Sequence, residues 1–227
     1  MKNIMTKSIA FLTISFLSFG VMSFPKLPGG VPGLGGDDSS DSGSVDLPSA
    51  QANLEKTLRE ALANLNQAEY HFATALGNSE AAAAAQARAT TLSSGGDVDL
   101  NSAVEETQSA REASAEAEAG SAALSAEAKA EYAKGLLPYA KGVALTSKVS
   151  KQAKTWIDAA QNELKSIKNP MKLGKLRKSL SGGMTIAKAI PKFLKALGKS
   201  SKGVFSFAKK QDLNTKKAEK QMPADEF

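Results

Sequence analysis

No cysteine occurs among the 227 residues, and histidine and tryptophan occur once each. The first absence excludes disulfides, thiolate zinc sites, iron-sulfur clusters and a lipidated N-terminal cysteine, so folding rests on packing alone. Scarce histidine removes the usual proton-transfer group near neutral pH. His71 stands alone between Tyr70 and Phe72, and any transition-metal site would have to be mostly carboxylate. Also missing are an alternating apolar-polar run long enough for a strand, a nucleophile-elbow motif, and an internal repeat of roughly 20 to 50 residues. The sequence therefore predicts no enzyme, no cofactor and no metal. It contains no Asn-x-Ser/Thr sequon, which fits a bacterial source.

What is present begins with a leader. Lys2 and Lys7 precede an apolar run from Ile9 to Met22, and Val21 and Ser23 supply the small residues that signal peptidases read. The expectation is a signal peptide over 1–23, cleaved after Ser23, and hence a periplasmic or secreted protein. The run is shorter than the roughly 18 to 20 residues a spanning helix needs, and Pro25, Gly29 and Gly30 follow it. Residues 24–48 combine Pro, Gly, Ser and Asp without periodicity, as in a flexible, disordered linker.

Charge divides sharply along the chain. Phe24 to Ala133 holds 6 Lys and Arg against 17 Asp and Glu, a net of −11; Lys134 to Phe227 holds 21 against 6, a net of +15. Such asymmetry means either that the halves pack on one another or that the basic half meets an anionic partner.

Helical periodicity dominates the remainder. Leu54, Leu58, Leu62, Leu65, Phe72 and Leu76 recur at three, four and seven, behind Ser49 as N-cap. Gly77 and Asn78 stop that helix; Ser79 caps an alanine-rich one over Glu80 to Leu92, ending at Ser93-Ser94-Gly95-Gly96. A third helix is predicted from a Ser102/Glu105 capping box to about Leu137. Pro138 then kinks the chain or starts a new helix bearing Leu145, Val149, Trp156, Ala160, Leu164 and Ile167 on one face. A short helix over Met171 to Leu180, a turn at Gly182-Gly183, and a last helix from Met184 complete the set. From Gln211 the chain reads as a polar, frayed tail. The predicted fold is all-α: an elongated, mostly antiparallel, coiled-coil-like helical bundle over 49–210, acidic over 49–137 and basic over 138–210.

Several patterns resemble sites and are better explained otherwise. Asp97-Val98-Asp99-Leu100-Asn101 starts like a calcium loop, but Ser102 and Gln108 stand where Gly and Glu are required, so helix capping accounts for it. Asp37, Asp38 and Asp41 belong to the linker. Glu105, Glu106, Glu112, Glu116 and Glu118 read as a solvated acidic face. Gly-rich stretches lack the Lys-Ser/Thr of a phosphate loop.

The sharpest feature is the last helix. At about 100° per residue, Lys188, Lys192, Lys195 and Lys199 fall within about 60°, with Ile186, Ile190, Phe193, Leu194 and Leu197 opposite. That split suits a helix lying on an anionic membrane and equally a packed helix with a charged outer side. The expected function is that of an exported, non-enzymatic interaction protein. Its basic half would bind an anionic protein or membrane surface through Lys188, Lys192, Lys195, Lys199, Lys202, Ile190, Phe193 and Leu197. A structural homo-oligomer is the alternative; nucleic acid is not an expected partner.

Overall fold

The computed structural model describes residues 46–224, and among them every regular element is a helix. The expected signal peptide and the linker up to residue 45 lie outside the described residues. The helices are α1 (Leu47–Ala75), α2 (Ser79–Ser93), α3 (Leu100–Gly120), α4 (Ala126–Ser166), α5 (Pro170–Lys210) and the short α6 (Lys216–Glu219). None of them is long and apolar enough to cross a membrane.

The stripe on α1 forms because leucines three and four apart share one side of a 3.6-residue turn. Leu54, Leu58, Leu62, Leu65 and Phe72 are all buried, each contributing about 1.5–3 kcal/mol by leaving water. Asp46, not Ser49, takes the N-cap position, and Pro48 sits in the first turn, where its missing N–H costs nothing. The helix therefore starts two residues inside the expected linker. It ends in a Schellman arrangement: Gly77 at φ +76° lets its own N–H reach the Thr74 carbonyl and that of Asn78 reach Ala73. The Asn78 side chain, rather than Ser79, then caps α2 by accepting from the Ala81 N–H at 3.0 Å.

Two long helices correct the expected breaks. The third predicted helix stops at Gly120 instead of Leu137; residues 121–125 turn, and Ser125 caps α4 through the Ala128 N–H. α4 then runs unbroken through Pro138, and α5 through Gly182, Gly183 and Pro191. One lost hydrogen bond per internal proline is offset by packing on either side, where Leu136, Tyr139, Ile190 and Phe193 are buried. Gly183 marks a close approach of α5 to its neighbours. A Cβ there would lie 2.8 Å from Trp156 and 2.9 Å from Gln51.

Specific contacts show how the elements run. Leu47 meets Trp156 (indole N–H to carbonyl, 3.2 Å), Leu65 faces Gly142 and Phe72 faces Gly135, so α1 and α4 run in opposite directions. Gly135 and Gly142 permit this approach: a Cβ would come within 2.6 Å of Phe72 and Leu65 respectively. Tyr139 against Ser200 and Ser201, with Trp156 against Gly183, sets α5 antiparallel to α4. Phe72 stacks on Tyr132 at 4.3 Å, and Tyr132 meets Phe207 at 5.1 Å, joining α1, α4 and α5 in one aromatic cluster.

The chain after α5 is not frayed up to residue 224. Gln211, Thr215 and Ala218 are buried. Gln211 accepts from the Leu124 N–H at 2.9 Å and donates to the Ala122 carbonyl at 3.4 Å, satisfying the turn before α4. Its polarity made the segment look loose, yet those polar groups are what the turn requires.

Candidate functional site

Two charged constellations emerge, one inside the protein and one on its surface. The inner one is not among the sites expected from the sequence. Arg111 on α3 donates to Glu69 of α1 at 3.1 Å and to Glu118, one and a half to two turns along α3, at 2.5 Å. Tyr132 of α4 donates to the same Glu118 oxygen at 2.8 Å, and the guanidinium lies 5.3 Å from the centre of the Phe72 ring. Glu69 is 2 %, Arg111 3 % and Glu118 6 % exposed. Glu118 therefore leaves the solvated acidic face expected for it, whereas Glu105, Glu106, Glu112 and Glu116 are exposed.

Electrostatics follow from burial. Desolvation raises the Glu69 carboxyl above the ordinary glutamate range, with Arg111 opposing it. Burial alone would lower Arg111, but Glu69 and Glu118 outweigh it and hold the guanidinium firmly protonated. Tyr132 is raised by burial and then by Glu118, so its hydroxyl stays a donor. The cluster tethers three helices and offers no open cleft for a substrate; the adjoining cavity between α3 and α5 measures about 70 Å³. A signal did exist. Glu69 interrupts the leucine stripe of α1 between Leu65 and Phe72, and Thr107, Arg111, Ser114 and Glu118 form a polar row at spacings of four, three and four.

The single histidine has a partner from another helix. His71 Nδ1 lies 2.7 Å from Glu131 of α4, whose other oxygen takes a hydrogen bond from Lys134 at 2.6 Å. Lys134 first and His71 second hold the Glu131 carboxyl below its ordinary value. The motif resembling a calcium loop resolves into a cap. Asp99 accepts from the Asn101 N–H at 3.0 Å and from the Ser102 hydroxyl at 2.9 Å, so Asp99 replaces the expected Ser102/Glu105 box. Among the described residues, no group of three or more His, Asp or Glu is placed to hold a metal ion.

The outer constellation lies on α5. Lys188, Lys192, Lys195, Lys199 and Lys202 are exposed and none makes an ion pair among the described residues. Spacings of four, three, four and three keep them in one row along the helix. Their apolar counterparts face inward: Ile190, Phe193 and Leu197 are buried against the rest of the protein. Those three residues are engaged in packing, so of the expected set only the lysines are exposed. Lys195, Lys199 and Lys202 share a groove of about 480 Å³ with Ser150 of α4, over Pro191 and Leu194. Lys188 and Lys192 continue the row beyond it. Tyr139, at the foot of this helix pair, bonds Ser200 at 2.9 Å and Ser201 at 3.1 Å and locks α5 against α4.

No family model matches the chain, and neither a curated protein nor a solved structure matches it. Function must accordingly be argued from the side chains themselves.

Proposed function

We propose that this chain is an exported, non-enzymatic interaction protein whose basic C-terminal half binds an anionic membrane or protein surface. In this reading residues 1–23 are removed on export, the segment before α1 is a tether, and the helices form an elongated, mostly antiparallel bundle. The observation that carries the proposal is the row of five exposed lysines, none ion-paired among the described residues, on a helix whose apolar side is already buried. Ammonium groups held in a row meet phosphate or carboxylate groups without insertion, so binding is electrostatic and salt-sensitive.

The test is co-sedimentation of the purified mature protein with vesicles of anionic and of neutral lipid at low and high salt. Binding to anionic vesicles alone, lost at high salt, is expected. Absence of binding to either lipid would remove the membrane form and leave an acidic protein as partner.

A second reading rests on alanine. Ala113 and Ala117 are exposed on one side of α3, and Ala115 and Ala119 on another, small residues that allow close helix approach. It favours a structural homo-oligomer, and a monomer at high concentration by light scattering would dispose of it.

A further inference from the structure

Where α5 ends, the chain turns back and leaves a cleft of about 860 Å³ between its last three turns and the segment from Glu219 to Ala224. That volume lies in the range typical of small-molecule sites, about 300–1,000 Å³. Its floor is apolar: Phe205, braced edge-on by Tyr139 at 6.4 Å, with Met222 and Pro223 opposite. Its rim is cationic. Lys202 and Lys210 border the opening and make no ion pair among the described residues, while Lys209 is bound to Glu219 at 2.6 Å. The Lys209–Glu219 bridge joins α6 to α5 beside Met222 and Pro223.

A floor without charge and a rim with two ammonium groups that have no ion-pair partner among the described residues fit one kind of ligand. An inorganic anion would leave the apolar floor wet, and a neutral hydrocarbon would leave the lysines without a counter-charge. We propose that this cleft binds a single-chain amphiphile with an anionic head, a long-chain carboxylate, its tail on Phe205 and Met222 and its head between Lys202 and Lys210. The lysine stems lie along the tail as their ammonium groups reach the carboxylate. The site is separate from the lysine row proposed for surface binding, sharing Lys202 alone with it.

The experiment uses the mature chain carrying ¹³C-methyl methionine. Met222 reports on the cleft, and Met171, 74 % exposed, reports on adsorption elsewhere. Titration with dodecanoate below its micelle concentration is expected to shift the Met222 methyl signal saturably and leave Met171 unmoved. Acetate and dodecyltrimethylammonium should move neither. The double variant Lys202→Gln/Lys210→Gln should weaken dodecanoate binding about tenfold, read on the same methyl. Met222→Glu should abolish it by calorimetry. Changing Lys188, Lys192, Lys195 and Lys199 to Gln should leave it intact, which separates this site from vesicle binding. A Met222 signal that stays still, that moves equally with the cationic amphiphile, or that moves only together with Met171 would overturn the proposal.

Discussion

Arg111 shows how much one side chain can decide. Two carboxylates and a tyrosine hydroxyl converge on a guanidinium and its partner at three hundredths of its free exposure or little more. Removing the arginine strands Glu69 and Glu118 as buried charges, so Arg111→Met is expected to cost about 3–5 kcal/mol in urea unfolding. Glu69→Gln should behave oppositely as pH rises. The native carboxyl of Glu69 titrates above its unfolded value, so its stabilising contribution is complete below the unfolded value and is lost as pH climbs through the raised one. Glutamine cannot ionise. The variant should therefore gain on the parent as pH rises above the ordinary glutamate range, and a gap that stays constant with pH would contradict the assignment. Glu131 works in the other direction: lowered by Lys134 and His71, its contribution is present above the ordinary value and fades as pH falls through the lowered one.

At the scale of elements, glycines and caps separate the readable from the unreadable. Gly182 and Gly203 have open space where a Cβ would go, whereas Gly135 and Gly142 would clash with Phe72, Leu65 and the backbone of α1. Alanine should thus stabilise at 182 and 203 by about 0.5–1 kcal/mol through helix propensity. At 135 and 142 overpacking of about 1–3 kcal/mol opposes that gain, and thermal melts should show a net loss. Asp212 ends α5 at φ +60°, with the Leu213 N–H on the Ala208 carbonyl in a Schellman arrangement. Asp212→Gly relieves a left-handed conformation and should add about 1 kcal/mol, outweighing the exposed Lys129–Asp212 pair at 3.7 Å. Circular dichroism melts of the variant check it. In the sequence Pro138 reads as a kink or a new helix start and Gly182-Gly183 as a turn, because local propensity disfavours them within a helix. Burial of Tyr139, Leu136 and Trp156 overrides that preference, and local sequence carries no record of the override.

For the molecule as a whole, the division of charge becomes a testable surface. Replacing Lys188, Lys192, Lys195 and Lys199 together by Gln removes about 1 kcal/mol per lysine near an anionic membrane. Vesicle affinity at low salt should fall on the order of a thousandfold without loss of helicity, and an unchanged affinity would move the binding surface elsewhere. Helicity itself was determined by the sequence, because a period of three and four is a local property that any window of Leu54 to Phe72 or Ile186 to Leu197 displays. The lysine row was legible for the same reason: i, i+3 and i+4 positions share a side whatever lies behind them. Only tertiary structure decided which side of α5 was already occupied, that Glu118 turns inward while Glu116 does not, and that Gln211 closes the turn before α4. Each depends on residues from 60 to 90 places away or on a neighbouring helix, and burial is settled by the partner that covers a face, which no helix carries in its own periodicity.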